Sequence, residues 1–452
     1  MAYLRWARAS GSTRFPKPIM KRRAFLTGGL ASGAALSILP SGLHATTTRN
    51  STLQFVQIGC GRMGVGDMTN LLNSGWNERF NARIVACCDV DSKRARAAAG
   101  SAVAFYKEKG ENKISIGEFT DHRELLKRDD IDGFIISTPD HWHGLIGIGA
   151  AEAGKHIYMQ KPLTYSIAEG RALVEAVRGK GVVLQTGSQQ RSSIYFRQIC
   201  HIIRNEWLGS LLRIEVEIPT DGGRASGQPT VPPATLDYDR WQGPSAELPY
   251  VEARVHPQSD LGRPGWLQVE AYCLGMITGW GSHMYDIAQW AMGDDKFPSE
   301  IQARGEFPER GLFDVHVGFH GEAAYDHGVI MTSRNGEPGV KFVTADGWAR
   351  CARGKMDCSD KRLLRRQPTG DETLLKTSTN HMEDFIRSIR DGSDPVCPVE
   401  VGHRSNSICV LHHLSMKLGG RKLRWDRARD TIADDVEAAA KLVPKMRPPY
   451  VL

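Results

Sequence analysis

The sequence predicts an α/β chain of two domains: a parallel sheet covered by helices over residues 51–175, then an α+β domain over 176–425 with an open, mostly antiparallel or mixed sheet. Three observations predict this. Short apolar runs alternate with helical stretches in the first half, a glycine-rich turn joins the first run to its helix, and the second half strings strands together through tight turns. Residues 426–452 form a C-terminal tail, with a helix carrying a solvated charged face expected over 430–446.

In order, Leu53–Gly59 reads as a strand, the Gly59–Gly64 turn opens a helix through Leu72, and Ala82–Asp89 is the next strand. Gly133–Thr138 is a buried strand, His141–Ala153 a helix ended by Gly154, and His156–Gln160 another strand. Runs this hydrophobic belong to a sheet covered on both faces. Ser166 and Glu169 make a capping box ahead of a helix over Gly170–Arg178 that stops at Gly179, and Val182–Gly187 follows as a strand. In the second half, Leu211–Ile218, Glu300–Phe307, Val315–Phe319, Ala324–Ser333 and Val340–Ala345 read as strands. Asn335-Gly336 and Asp346-Gly347 supply the turn chemistry. Thr220–Arg263, rich in Pro, Gly and polar residues, is a long excursion near a site rather than core.

At 452 residues the chain can bury more than one core. Its formal charge of +7 suggests nucleic acid until its distribution is read. Residues 1–45 hold Arg5, Arg8, Arg14, Lys17, Lys21, Arg22 and Arg23 and no acid, so the rest of the chain carries no net formal charge. A neutral body has no electrostatic footprint for nucleic acid or anionic lipid. The basic segment has the layout of a secretory signal: Met20-Lys21-Arg22-Arg23, then the mild apolar run Phe25–Leu39 and small residues to Ala45. Arg22-Arg23 before Phe25-Leu26 looks like the twin-arginine type, with Met20 as an alternative start, so an exported, periplasmic protein is expected. A retained signal would be its one membrane contact. The nine cysteines have no C-x-x-C pair or zinc spacing and receive no function.

Three motifs carry chemistry. Gly59-Cys60-Gly61-Arg62-Met63-Gly64 follows a strand, opens a helix, and precedes Asp89 at the next strand's end, twenty-five residues after Gly64. This is the Rossmann dinucleotide-binding layout: Gly59 for the tight turn, Gly61 for close approach of backbone to a pyrophosphate, Gly64 for helix–sheet packing, and the helix N-terminus for phosphate. Asp89 would accept both ribose hydroxyls and repel a 2′-phosphate, favouring NAD, while Arg94 keeps NADP as a second reading. Ser137-Thr138-Pro139-Asp140-His141-Trp142-His143 and Met159-Gln160-Lys161-Pro162-Leu163-Thr164 stand at the carboxyl ends of two strands, where such sheets bind ligands. A lysine there can hydrogen-bond a substrate oxygen and stabilise developing negative charge.

With these motifs, Gly154-Lys155-His156 leading into Lys161-Pro162, and Gly281-Ser282-His283-Met284-Tyr285-Asp286, the chain resembles the Gfo/Idh/MocA dehydrogenases (glucose–fructose oxidoreductase, inositol dehydrogenase and rhizopine catabolism) over nearly its whole mature length. Trp241-Gln242-Gly243-Pro244, Arg263-Pro264-Gly265-Trp266 and Gly279-Trp280-Gly281-Ser282-His283 look most like a twin-arginine-exported branch. The resemblance implies that Lys161 touches the nicotinamide region and the substrate. It implies that His283 is the general base, that Pro139 and His143 line the nicotinamide ribose, and that Arg191 faces the substrate. It also implies a homo-oligomer. An imidazole near neutral pKa suits the proton transfer.

Two departures stand out. Where the family has Glu before the lysine there is Gln160, and where many members have Asp four residues before the histidine there is Gly279. Asp286 could support His283 instead, or be a buried structural acid; with Arg191, Trp241 and Tyr272 it is counted among the candidate substrate residues. Trp241, Trp266, Tyr272 and Trp280 form either a sugar-stacking surface or ordinary core. No third ligand joins His283 with Asp286, or His141 with His143, so no metal is expected. The reading is oxidation of a secondary hydroxyl on a sugar, cyclitol or sugar derivative by tightly bound NAD(P). Two other classes stay open: an NAD-dependent glycosidase using transient oxidation and elimination, and a non-catalytic sugar-binding protein.

Overall fold

The computed structural model describes residues 51–452; the segment expected to be an export signal lies outside them. The first strand, β1 (Leu53–Ile58), meets α1 (Arg62–Gly75) through the glycine turn. Then come β2 (Ala82–Cys88), α2 (Ser92–Glu108), β3 (Gly117–Phe119), α3 (His122–Leu126), β4 (Gly133–Ile136), α4 (Asp140–Glu152), β5 (His156–Met159), α5 (Ile167–Lys180) and β6 (Leu184–Thr186). The six strands are parallel in the order β3-β2-β1-β4-β5-β6. The order reverses between β1 and β4, which opens a crevice at their carboxyl ends. The capping box at Ser166 forms as expected, but α5 runs on through Gly179 and ends on Gly181, whose φ of +65° is the left-handed conformation that glycine adopts without cost. The parallel sheet therefore extends past residue 175 to Thr186.

The chain continues through α6 (Ile194–Arg204), β7 (Leu211–Ile218), α7 (Tyr238–Gln242), α8 (Met276–Gly279) and α9 (Gly281–Met292). A run of strands follows: β8 (Glu300–Glu306), β9 (Gly318–Ala324), β10 (Ile330–Asn335), β11 (Gly339–Thr344), β12 (Gly347–Ala352) and β13 (Lys355–Cys358). It ends with α10 (His381–Asp391), α11 (Val399–Lys417), β14 (Leu423–Asp426), β15 (Thr431–Ile432) and α12 (Val436–Ala440). The second sheet has nine strands, ordered β13-β12-β11-β7-β10-β9-β8-β14-β15. Only the β7–β10 pairing is parallel.

Three expectations need correcting here. The strands expected over 315–319 and 324–333 are β9 and β10, which pair across the turn between Ala324 and Ile330. Asn335-Gly336 does not close a hairpin between neighbours, because β10 and β11 lie on either side of β7 and the turn crosses its end. The C-terminal helix shrinks to Val436–Ala440.

One face of this sheet packs on α6, α9 and α11 through Ile199, Ile203, Ile287, Ile408 and Leu411 against Ile214, Met331 and Phe342. On the opposite face, Arg213, Glu215 and Lys341 form one ion-paired row, and Arg334, Glu217 and Arg350 another. The alternation along β7 reflects a half-covered sheet. α10 returns to the first domain: Met382, Phe385 and Ile386 join the core of Phe55 and Tyr158. Among the described residues no helix is long and apolar enough to cross a membrane.

Candidate active site

A cleft of about 250 Å³ follows the crevice from the glycine turn to Lys161. Three glycines shape its floor. Gly59 has φ +81°, and a Cβ there would lie 2.7 Å from the Ser137 carbonyl carbon. A Cβ on Gly64 would stand 1.8 Å from the Gly59 oxygen, so α1 starts hard against the turn only because the position is bare. Gly61, by contrast, faces the cleft, with the Arg94 guanidinium 3.2 Å from where its Cβ would be. Gly61 also N-caps α1 with no side-chain bond, leaving the helix's first N–H groups for an anion. These residues fit the pyrophosphate of a dinucleotide. Gly59, Gly61, Arg62 and Met63 line the cleft; Cys60 is buried and gives its amide to Asp89.

Asp89 sits at the carboxyl end of β2, with one oxygen 2.7 Å from the Cys60 amide and the other 2.9 Å from the Asp91 amide. These bonds fix the carboxylate at the cleft wall, where ribose hydroxyls would donate to it. Arg94 is committed elsewhere, donating to the carbonyls of Pro257 and Asp260 at 2.8 and 3.3 Å. The excursion of the second half thereby straps the start of α2. Lys93 donates to the Gln258 carbonyl at 2.8 Å, and His256 meets Asp91 at 3.4 Å. Burial alone would raise the Asp91 carboxyl, but the bonds from His256 and Thr235 hold it down at about 2.

At the Lys161 end of the cleft, Gln160 meets an acid carried by another element. The Gln160 amide donates to both oxygens of Asp67 on α1, at 3.0 and 2.9 Å, and the Ser137 hydroxyl donates to Asp67 at 2.8 Å. Burial pushes Asp67 up to about 6 against these bonds. Gln160 in turn accepts from the Lys161 backbone amide at 3.2 Å. Lys161 lines the cleft; burial lowers its pKa while Asp140, the strongest of the charges acting on it, raises it.

His283, in the first turn of α9, is 4% exposed, and its Nδ1 has no hydrogen-bond partner among the described residues. Burial, with Lys161 and Arg353 close by, holds its pKa well below the usual imidazole value, so the ring is neutral. Trp280 lies edge-on to it, centroids 6.1 Å apart, with the Arg353 guanidinium 4.3 Å over the Trp280 ring. Gly279 lines the cleft, and the nearest atom to a Cβ placed there is the Met276 sulfur at 3.9 Å. The room for an acid exists; the acid does not.

Three expected substrate contacts and one expected ribose contact lie elsewhere. Arg191 is 1% exposed, outside the cleft, and bound through two nitrogens to Asp286 at 2.8 and 2.9 Å and to Asp294 at 3.0 Å. Asp286 also accepts from Ser405 at 3.0 Å, so it is a buried structural acid and not a support for His283. Tyr272 is fully buried between His141 and Trp241, at 5.0 and 4.7 Å. His143 stands behind the cleft wall, its ring nitrogens 2.7 Å from the Pro162 carbonyl and 2.9 Å from that of Thr138, bracing the two motifs together. Ser137, Thr138, Pro139, Gln160, Trp241 and Trp266 do line the cleft. Sequence reasoning missed Asp67 and Asp140. Asp140 stood inside a recognised motif, and Asp67 was an acid one turn into a helix on its buried side.

The parallel sheet, glycine turn and lysine at a strand end define an oxidoreductase built on a dinucleotide-binding domain. The profile described as an oxidoreductase family, NAD-binding Rossmann fold, matches residues 53–188, and that of the oxidoreductase family's C-terminal alpha/beta domain matches residues 197–452. The chain belongs to the Gfo/Idh/MocA oxidoreductase family. It is 26% identical over 268 residues to the uncharacterized oxidoreductase YrbE of Bacillus subtilis (strain 168), covering 58% of this chain and 61% of that protein. It is 37% identical over 134 residues to the same organism's scyllo-inositol 2-dehydrogenase (NAD(+)), covering 30% and 35%. It is 34% identical over 127 residues to a glycosyl hydrolase family 109 protein of Shewanella woodyi (strain ATCC 51908 / MS32), covering 28% and 25%. Each match thus spans less than two thirds of the relative.

Among solved structures, the WlbA dehydrogenase from Bordetella pertussis, in complex with NADH and UDP-GlcNAcA, superposes with a TM-score of 0.61 at 16% identity, covering 83% of this chain and 99% of that one. Levoglucosan dehydrogenase, with NADH and levoglucosan, gives 0.60 at 18%, covering 83% and 99%. At these identities the likeness is one of fold.

Proposed function

We propose that this protein oxidises a secondary hydroxyl of a sugar, cyclitol or sugar derivative with NAD. The observation that carries the reading is the continuity of one cleft from the Gly61 turn to Lys161. Held at the glycine turn, the N-terminus of α1 and Asp89, NAD would supply the acceptor for the hydride of the carbinol carbon. The Lys161 ammonium hydrogen-bonds the substrate oxygen and favours the charge that builds on it as the proton leaves. His283, neutral at working pH, takes that proton. Trp266 gives the cleft aromatic surface against which a sugar ring packs, while Trp241, 3% exposed, is core packed on Tyr238 and Tyr272.

The strap from Pro257 to Asp260 over α2 supports a tightly held dinucleotide. The twin-arginine pattern at Arg22-Arg23 supports export of the folded, loaded protein to the periplasm, and a homo-oligomer is the quaternary state expected. A spectrum of the purified protein, taken before and after sugars, polyols and aryl glycosides, tests the reading: reduction of the bound dinucleotide by a polyol or sugar is the expected result. Tight retention also favours a second reading, a glycosidase that oxidises and re-reduces its substrate, with support from the glycosyl hydrolase family 109 relative. Aglycone release without net NADH would select it.

A further inference from the structure

Lys161 follows a neutral residue, yet it stands in a buried cleft where an ammonium needs a counter-charge. The groups acting on it come from five elements. Asp140 is in the first turn of α4, Asp67 is on α1, Cys273 lies ahead of α8, Arg353 is on the β12–β13 turn, and His283 is on α9. Two of these are acids, and they are not equivalent. Asp67 is already engaged by three hydrogen bonds, from the Gln160 amide and the Ser137 hydroxyl. Asp140 is 3% exposed and lines the same cleft as Lys161, and its Oδ2 has no hydrogen-bond partner among the described residues. The Cys273 thiol hydrogen-bonds its carboxylate, and Lys161 acts on it through charge.

We propose that Asp140 is the positioning residue of the reacting end: its buried carboxylate, with Oδ2 left free of hydrogen bonds, balances and orients the Lys161 ammonium over the substrate oxygen, the service that neutral Gln160 cannot provide. The inference rests on the dehydrogenase reading for its consequence, though not for its electrostatics. Burial pushes Asp140 up to about 7, with Cys273 and Lys161 pulling it down, so the carboxylate depends on the lysine's charge as the lysine depends on it. Asp140 acts through Lys161 and need not touch the substrate.

The test uses the full-length protein with its bound dinucleotide, as wild type, Asp140→Asn and Asp140→Glu. The first readout is the pH dependence of Lys161 acylation by a small anhydride, followed by peptide mass spectrometry, which needs no turnover. Asp140→Asn is expected to move the Lys161 titration down by about one to three pH units, and Asp140→Glu to restore most of it. The second readout is turnover of whichever polyol or sugar reduces the bound dinucleotide. For Asp140→Asn the alkaline limb of kcat/KM moves down in step, kcat falls roughly tenfold or more at neutral pH, and KM changes little.

A Lys161 titration that Asp140→Asn leaves in place overturns the inference, whatever happens to activity. Should Asp140→Asn fail to retain dinucleotide, Asp140→Ser is read in its place: retention with a displaced Lys161 titration supports the proposal, and an undisplaced titration overturns it. If the titration shifts but no substrate reduces the dinucleotide, the electrostatic pairing stands and the proposed reaction fails.

Discussion

The two ends of the cleft are built from different materials. At the cofactor end the backbone does the recognition. Gly59, Gly61 and Gly64 matter for what they lack, and the N–H groups at the start of α1 are left without a side-chain cap for an anion to meet. At the reacting end, side chains from α1, α4, α9 and two strand ends converge, and a charge absent from one element stands on another. Gln160 looks like a lost acid along the sequence; in space, Asp67 holds a carboxylate against its amide. Backbone function is tied to sequence position. Side-chain function is tied to a place in space, which several positions can supply.

Replacing Lys161 by Ala is the strongest way to break this comparison. It should lower kcat/KM by roughly 10²- to 10⁴-fold, while a spectrum of the purified variant still shows dinucleotide, because no glycine contact is touched. Loss of the dinucleotide along with the activity would mean that the two ends are one unit.

A slightly smaller effect is expected away from both ends. Arg191→Ala leaves Asp286 buried and unpaired, and should cost about 3–5 kcal/mol in urea unfolding. The KM of the protein that remains folded should not change. A large rise in KM would return Arg191 to the substrate, against its position outside the cleft.

Between the ends stands Asp67. Its carboxyl is raised to about 6 in the folded protein, so the folded state holds a proton that the unfolded chain releases at lower pH. The stability this group contributes is therefore full below about pH 4 and declines as pH rises through 6, by something on the order of 3 kcal/mol. Unfolding the dinucleotide-free protein across this window, as wild type and Asp67→Asn, should show the slope in the first and not in the second. Equal slopes would mean that Gln160 and Ser137 hold the carboxylate ionised throughout.

This division also explains what could be read from the sequence. The strands of the parallel sheet, the capping box at Ser166 and the glycine turn were legible because each depends on neighbours a few residues away. Asp89 was legible because the fold fixes its distance from the turn. Arg191 and Asp286, ninety-five positions apart, were each assigned to substrate, yet they bind one another, a pairing that local pattern does not reveal. The Asn335-Gly336 turn was recognised, but not that it crosses the end of β7, since partner choice in a mixed sheet is settled by the whole sheet. The tail beyond Asp430 has helical periodicity but keeps helix only over Val436–Ala440, where tertiary pairing through β15 takes precedence over local preference.

Gly279 sharpens the comparison furthest for the smallest effect. A Cβ at that position meets nothing nearer than 3.9 Å, the site lies in the cleft wall, and His283 holds an unpartnered Nδ1 in the next turn of chain. Gly279→Asp therefore inserts a carboxylate without forcing the backbone. An added negative charge favours the imidazolium form, so the His283 pKa rises towards neutrality and the acid limb of kcat/KM moves up by about one pH unit, with a several-fold gain on the plateau. That result would show the reacting end to be adaptable, taking back by one substitution a charge it otherwise draws from other elements. If activity falls and the acid limb stays in place, the space over Gly279 belongs to the substrate, and the glycine is then a contact surface of the same kind as Gly61 at the other end of the cleft.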